Sequence, residues 1–386
     1  MPWKVVDEEQ AVRAFITARS KGKETMVALC RRFGISRQCG YERWRRFCAV
    51  GWGAKPSRRP KTAERMWARW GRRALKLREQ YPSAGGSKLR WHLEQKYRLG
   101  PWPSARTLAR WLKAAGLVRR RKRRGRAGPV VPAPVRTVAK AANQVWSVDF
   151  KGWFYTSRDH KRVFPLTVRD LATRYVLLVR HVAQSDERRV GTVMRRLFHR
   201  YGLPGAIRVD NGPPFGGVGP RGWSRLAVSW IRLGIRVEYG RPGCPQDNAA
   251  HEQMHRVLKQ ETASPPASTL RAQQRRFDRW RFLYNKRRPH ESLGMQLPVA
   301  FYRARVSSLP PKWTYPEGSQ LVRTDSRGRL HWAGRKRIIG RAFGGELLAF
   351  KPVATGVVEV YFGPHLLGEL HARDHSSIRA VQTLQR

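Results

Sequence analysis

Apolar positions along this 386-residue chain change their spacing three times, and each spacing predicts a different kind of structure. In the first 50 residues they recur at helical intervals, with Val12, Phe15 and Ile16 in one set and Val27, Ala28 and Leu29 in the next. Asp7 is placed to cap the first helix, and a second is predicted over about 25–33. Gly34 and Ile35 then turn the chain, and Ser36 caps a third helix that runs through Arg46. Residues 60–118 repeat the theme. GGSKLRWHLEQKY (85–97) reads as a helix, GPWPS (100–104) as a turn, and Ser104 caps a helix from Arg106 to Ala115 whose Leu108, Trp111 and Leu112 face inward.

From about 143 the period switches. Residues 145–155, 163–168 and 175–182 read as strands, the last two joined by a turn around 169–173. A helix follows over 186–201, with Val190, Val193, Met194, Leu197, Phe198 and Tyr201 at helical spacing. Then come a short strand (207–210), a helix (223–233), a strand (235–239) and a helix (249–261), a mixed α/β sheet flanked by helices. Beyond about 310, short β-rich segments (321–324, 330–333, 346–351, 357–362 and 366–370) between turn residues have the spacing of a small antiparallel β-barrel. The expected organisation is multidomain: helix-turn-helix units at 1–55 and 56–118, a linker at 119–142, an α/β core at 143–305 and a β-barrel at 306–386.

Composition narrows the partner. Lys and Arg number 79 against 26 Asp and Glu, a formal charge of +53. So much like charge repels itself unless a polyanion is near, which points to nucleic acid. RRRKRRGR (119–126), with seven basic residues in eight, suits a tether lying along phosphates. A helix bearing Arg37 and Arg43 after a glycine turn, and another bearing Arg106 and Arg110, are placed as recognition helices for duplex DNA. The alternative for each is a plain helical bundle with a solvated basic face. No apolar run approaches the roughly 18 residues that span a bilayer, and the first ten residues lack the pattern of a signal peptide. The expectation is a cytoplasmic, nucleoid-associated protein with no membrane partner. Cys30, Cys39, Cys48 and Cys244 fit no common zinc spacing and read as reduced thiols.

Among so few acids, three stand out. Asp149 interrupts the apolar run WSVDFKGWF, Asp210 ends a strand in IRVDNGPPF, and Glu252 opens a helical pattern in GCPQDNAAHEQMHRVLKQE. A carboxylate inside a buried strand is costly without a partner or a metal. If the strands of Asp149 and Asp210 are neighbours, their carboxylates converge at one sheet edge and the helix brings Glu252 over them. Divalent cations with hard oxygen ligands suit phosphodiester chemistry, one activating the attacking oxygen and one stabilising the leaving one. Glu252, Arg256 and Lys259 share a helical face, a metal ligand followed by cations for phosphate. On its own that stripe is an ordinary surface ion pair; Pro245, Asn248 and the two aspartate contexts favour the sharper reading. Asp170 reads as a turn residue paired with Arg174.

Residues 143–302 resemble the catalytic core of DDE-type transposases and retroviral-like integrases, particularly those of bacterial insertion sequences. WSVDF, VDNGPPF, GCPQDNAAHEQMHRVLK and YNKRRPHESLGMQLPVAFY (284–302) carry the resemblance, in order. The resemblance implies a ribonuclease-H-like fold and Asp149, Asp210 and Glu252 as catalytic ligands of two Mg²⁺ or Mn²⁺ ions. It also implies cleavage at transposon ends and joining of the freed 3′-hydroxyls to target DNA. Asn211 and Lys259 fall where the family places supporting residues. A reaction that joins two ends to one target calls for at least a homodimer on DNA. The chain departs from the family at Ala249, where many relatives carry glycine, and in the 41 residues between Asp210 and Glu252, a few more than usual. A nuclease on the same fold, and a DNA-binding regulator with an inert core, are the alternatives. A covalent tyrosine or serine recombinase has no comparable nucleophile context here.

Overall fold

The computed structural model describes residues 8–52, 62–97, 99–118, 136–182, 186–241, 249–304, 313–375 and 377–381. Asp7, the basic run at 119–126, Cys244, Pro245 and Asn248 lie outside the described residues. The chain divides into two compact units, Met1–Trp67 and Ala68–Arg386.

The first unit holds α1 (Glu8–Ser20), α2 (Met26–Arg32) and α3 (Arg37–Val50). The Thr25 and Ser36 hydroxyls accept the Ala28 and Cys39 amides, 3.2 Å each, satisfying donors that a helix start leaves open. Phe15, Leu29, Cys30 and Ile35 close a small core, and a Cβ on Gly40 would collide with the Cys30 sulfur. Cys30 is buried there as a free thiol, as expected.

The second unit opens within α4 (Thr62–Gln80), at Ala68, and continues with α5 (Gly86–Lys96) and α6 (Ala105–Ala114). Ser104 caps α6 as expected, accepting the Thr107 amide at 3.1 Å. The turn after α4 docks on the later core: Gln260 donates to the Pro82 carbonyl at 3.0 Å, and Ser83 hydrogen-bonds Glu261. Glu261 also accepts the Trp280 indole at 2.8 Å and lies 3.7 Å from Arg288.

The core sheet is built from β1 (Val145–Phe150), β4 (Pro165–Asp170), β5 (Val176–His181), β6 (Ala206–Val209) and β7 (Arg236–Tyr239), with β2 (Phe154–Tyr155) and β3 (Arg162–Val163) forming a separate ribbon. The predicted strand over 145–155 is thus two pieces, broken where Gly152 takes a positive φ of 76°. Sheet order is β5-β4-β1-β6-β7; β1 is antiparallel to β4 and parallel to β6. The mixed sheet expected from the alternating pattern is therefore present. On one face, Trp146, Val148, Leu166 and Val168 pack against α7 (Glu187–Tyr201) and α8 (Arg225–Arg232). On the other, α9 (Ala249–Thr262) and α10 (Leu270–Arg287) bury Met254, Leu258, Phe277 and Trp280 against Val176 and Val179. A four-residue helix, α11 (Pro298–Phe301), follows.

Asp170 is a correction to the sequence reading. It is fully buried, and its carboxylate accepts the Asn143 amide, the Thr173 amide and the Thr173 hydroxyl at 2.6–2.8 Å, while Arg174 instead donates to Ser292. Asp170→Ala would strand buried donors, and we expect a loss of roughly 2 kcal/mol or more in urea unfolding. An unchanged midpoint would mean that water replaces the carboxylate.

The tail carries β8 (Gln320–Arg323), β9 (Arg329–Trp332), β10 (Arg335–Ile338), β11 (Leu347–Ala354), β12 (Val357–Phe362), β13 (His365–His371) and β14 (Arg379–Ala380). β14-β13-β12-β11-β8 form an antiparallel sheet, and β9 with β10 a separate ribbon. The end strands do not pair with each other among the described residues, so the expected barrel is here a sheet plus a ribbon. Its apolar face, including Leu348, Phe350, Val360 and Phe362, packs on Trp223, Ala227 and Ile231 of the α8 region.

Candidate functional site

Three segments bring the predicted acids together. In the parallel pairing of β1 with β6, Ser147 lies opposite Arg208, and Asp149 and Asp210 each come two residues further along. Across the antiparallel pairing Asp149 faces Thr167, and Ser147 faces Arg169. Strand residues two apart share a face, so Ser147, Asp149 and Thr167 all point to the side covered by α9. Glu252 sits in the first turn of that helix, half-buried.

The electrostatics record how close the acids are. The Asp149 carboxyl is pushed from 3.8 up to about 7, first by burial, then by the negative charge of Asp210, with a smaller push from Glu252; Lys151 and a backbone hydrogen bond oppose the shift. Burial raises Asp210 as well, against a backbone hydrogen bond from Gly212. Asn211, the predicted neighbour, donates through Nδ2 to the Gly240 carbonyl at 2.6 Å, tying the loop after β6 to the end of β7. Arg256 and Lys259 are exposed on α9, on the stripe that begins at Glu252. Arg37, Arg106 and Arg110 are also exposed, whereas Arg43 is half-buried and hydrogen-bonds Cys39 at 3.4 Å. Those four arginines lie on α3 and α6, away from the acids in sequence and in element.

Sequence reasoning missed the polar layer beneath the acids. His251 and His255 are buried, at the same helical stripe as Leu258, where an apolar residue would be ordinary. The Thr167 hydroxyl lies 2.6 Å from His251 Nε2, 2.7 Å from His255 Nε2 and 3.0 Å from the Asp149 carbonyl. His251 Nδ1 meets the Ser147 hydroxyl at 2.8 Å, and His255 Nδ1 lies 3.8 Å from Asp149 Oδ2. Burial holds both imidazoles neutral, His255 down at about 3 and His251 well below its usual value. The visible signal was two histidines four apart, His251-Glu252-Gln253-Met254-His255, a spacing that presents both rings on one helical face.

Residues 139–245 match one integrase core domain family and residues 233–298 a second, while residues 319–377 match the C-terminal domain of IS481 family transposases. The chain thus carries integrase core domains and a C-terminal domain of the kind found in IS481 family transposases. It is 32% identical over 187 residues to an uncharacterised 39.2 kDa protein of insertion element IS476 from Xanthomonas euvesicatoria, covering 47% of this chain and 50% of that one. It is 29% identical over 208 residues to an uncharacterised 31.7 kDa protein of insertion element IS407 from Burkholderia multivorans, covering 53% of this chain and 71% of that one. The match thus spans half the length of the first relative. Among solved structures, the HTLV-2 integrase catalytic core domain in complex with magnesium aligns with 42% of this chain and 98% of its own, at 12% identity and a TM-score of 0.33.

Proposed function

We propose that this protein is a transposase that binds the ends of an insertion element, cleaves phosphodiester bonds there and joins the 3′ ends to target DNA. The observation that carries this reading is the β1–β6 register, which aligns Asp149 with Asp210 while Glu252 approaches from α9. Asp149, Asp210 and Glu252 suit two Mg²⁺ or Mn²⁺ ions by donor chemistry: three hard oxygen ligands whose mutual repulsion Asp149 registers and a cation would relieve. Bound there, the ions would activate the attacking oxygen and stabilise the leaving one. The chain's own groups do the rest. Asn211 fixes the loop behind Asp210, and Asn248 precedes the helix that carries Glu252. Arg256 and Lys259 offer charge to phosphates near the acids, and Arg37, Arg43, Arg106 and Arg110 to DNA further along. Helix-turn-helix units before the core, and the tail sheet as a DNA-binding or assembly surface, complete the domain plan. Joining two ends to one target requires at least a dimer on DNA. A cytoplasmic, nucleoid-bound location fits such a partner; no helix among the described residues is long and apolar enough to cross a membrane.

The test is strand transfer by the purified protein, with labelled duplex from the flanking inverted repeats, a supercoiled target, and Mg²⁺ or Mn²⁺ against EDTA. Metal-dependent joined product is expected. Cleavage without joining would make the protein a nuclease, and tight binding with neither product a DNA-binding regulator. Deleting residues 1–61, which ends before α4 and leaves the turn bonded to Glu261 in place, should cost at least tenfold in the preference for end DNA over random duplex. It should leave weak, salt-sensitive binding. Undiminished preference in a mobility-shift assay would remove α1–α3 as readers of sequence.

A further inference from the structure

The Thr167 hydroxyl has one proton and three partners. The Asp149 carbonyl can only accept, so the 3.0 Å contact takes that proton. The two imidazole contacts, at 2.6 and 2.7 Å, must then be donated to the Thr167 oxygen, which sets the Nε2–H tautomer on both rings. Neutral His251 spends its remaining nitrogen lone pair on the Ser147 hydroxyl, 2.8 Å from Nδ1. His255, with its Nε2 on Thr167, turns its Nδ1 toward the Asp149 carboxylate. Its Nδ1 lies 3.8 Å from Asp149 Oδ2, too far for a hydrogen bond. It is a suitable span for one shared cation, since ligand atoms each roughly 2.1 Å from a metal ion lie about 3–4 Å apart.

We propose that His255 Nδ1 is a further ligand of the divalent cation held by Asp149, with Thr167 fixing its tautomer. The inference rests on reading Asp149 as a metal ligand and adds to the three acids. Its chemical consequence concerns metal choice. Mg²⁺ prefers an all-oxygen shell, whereas imidazole suits Mn²⁺ and later first-row ions. The mixed oxygen–nitrogen site should favour Mn²⁺ over Mg²⁺ more than carboxylates alone would. His251 is not a ligand in this account, although its Nε2 lies close by, because both of its nitrogens are committed.

The experiment is electron spin-echo spectroscopy of Mn²⁺ bound to the full chain, without DNA, paired with Mn²⁺ and Mg²⁺ titrations. Gln at 255 still reaches Thr167 from the Nε2 side but has no donor at the Nδ1 position. The wild type should show ¹⁴N modulation from a coordinated imidazole. H255Q should lose it and bind Mn²⁺ roughly tenfold more weakly, with Mg²⁺ affinity changed less than threefold; H251Q should keep the modulation. Mn²⁺ binding that needs Asp149 but shows no nitrogen modulation, or modulation that survives H255Q, overturns the role of His255 and leaves the carboxylate site standing. Mn²⁺ binding that is undiminished in D149N overturns the underlying assignment as well. Should H255Q fail to fold, the wild-type and H251Q spectra together still decide the matter.

Discussion

Glu252→Gln is expected to lower strand transfer by roughly a thousandfold or more while changing affinity for end DNA less than threefold. A metal contributes several kcal/mol to stabilising charge in a transition state, and each 1.36 kcal/mol is a factor of ten, so losing one of three ligands reaches that size. Gln keeps the shape of Glu and the place of residue 252 in the first turn of α9. What it removes is the charge that Asp149 feels. Asp149→Asn and Asp210→Asn should fall to a similar floor. Combining any two should add little, because ligands of one metal centre act as a unit. Affinity for DNA should come from elsewhere, from a net charge of +53 on the whole chain. A variant that retains more than about a tenth of wild-type joining would exclude its residue from the centre.

What could be read in the sequence followed from local pattern, and what could not depended on register. Asp149 was conspicuous because β-branched and aromatic neighbours announced a buried strand, and Glu252 because it opened a helix. That Asp149 runs beside Asp210 is a property of β1 pairing in parallel with β6, which no run of residues encodes by itself. His251 and His255 escaped notice because their meaning lies in Ser147 and Thr167, polar side chains on strands about 80 to 100 residues earlier. Asp170 misled for the opposite reason: a plausible local arginine concealed buried amide partners. The 18-residue α10 was not predicted at all. Its six arginines and one lysine swamp a sparse inward set of Phe277, Trp280 and Tyr284. In the tail, the turn spacing predicted antiparallel strands correctly but left closure open, since closure depends on whether the outer strands meet.

Asp149→Asn should make the metal-free protein more stable at pH 8, and the sign follows from the carboxyl's displacement. In the folded chain it titrates near 7, in the unfolded chain near 3.8, so folding favours its protonated form. That contribution is fully present below pH 3.8 and is lost as pH rises through about 7. At pH 8 the wild type therefore holds a carboxylate that its surroundings oppose, with a side chain only 20% exposed. Asn cannot ionise, and we expect it to recover roughly 2–4 kcal/mol, read as a melting temperature several degrees higher. At pH 4 the two proteins should converge. His251 and His255 act with the other sign: held neutral by burial, they support the fold above their unfolded value of 6.5 and weaken it as pH falls. Both proteins carry them, so the difference between the two isolates Asp149. Millimolar Mn²⁺ should raise the wild type much more than the variant, whose remaining ligands lack the Asp149 carboxylate. Equal melting temperatures at pH 8 without metal would mean that Asp149 is not strained by its acidic neighbours, and the electrostatic case for a metal between them would fall with it.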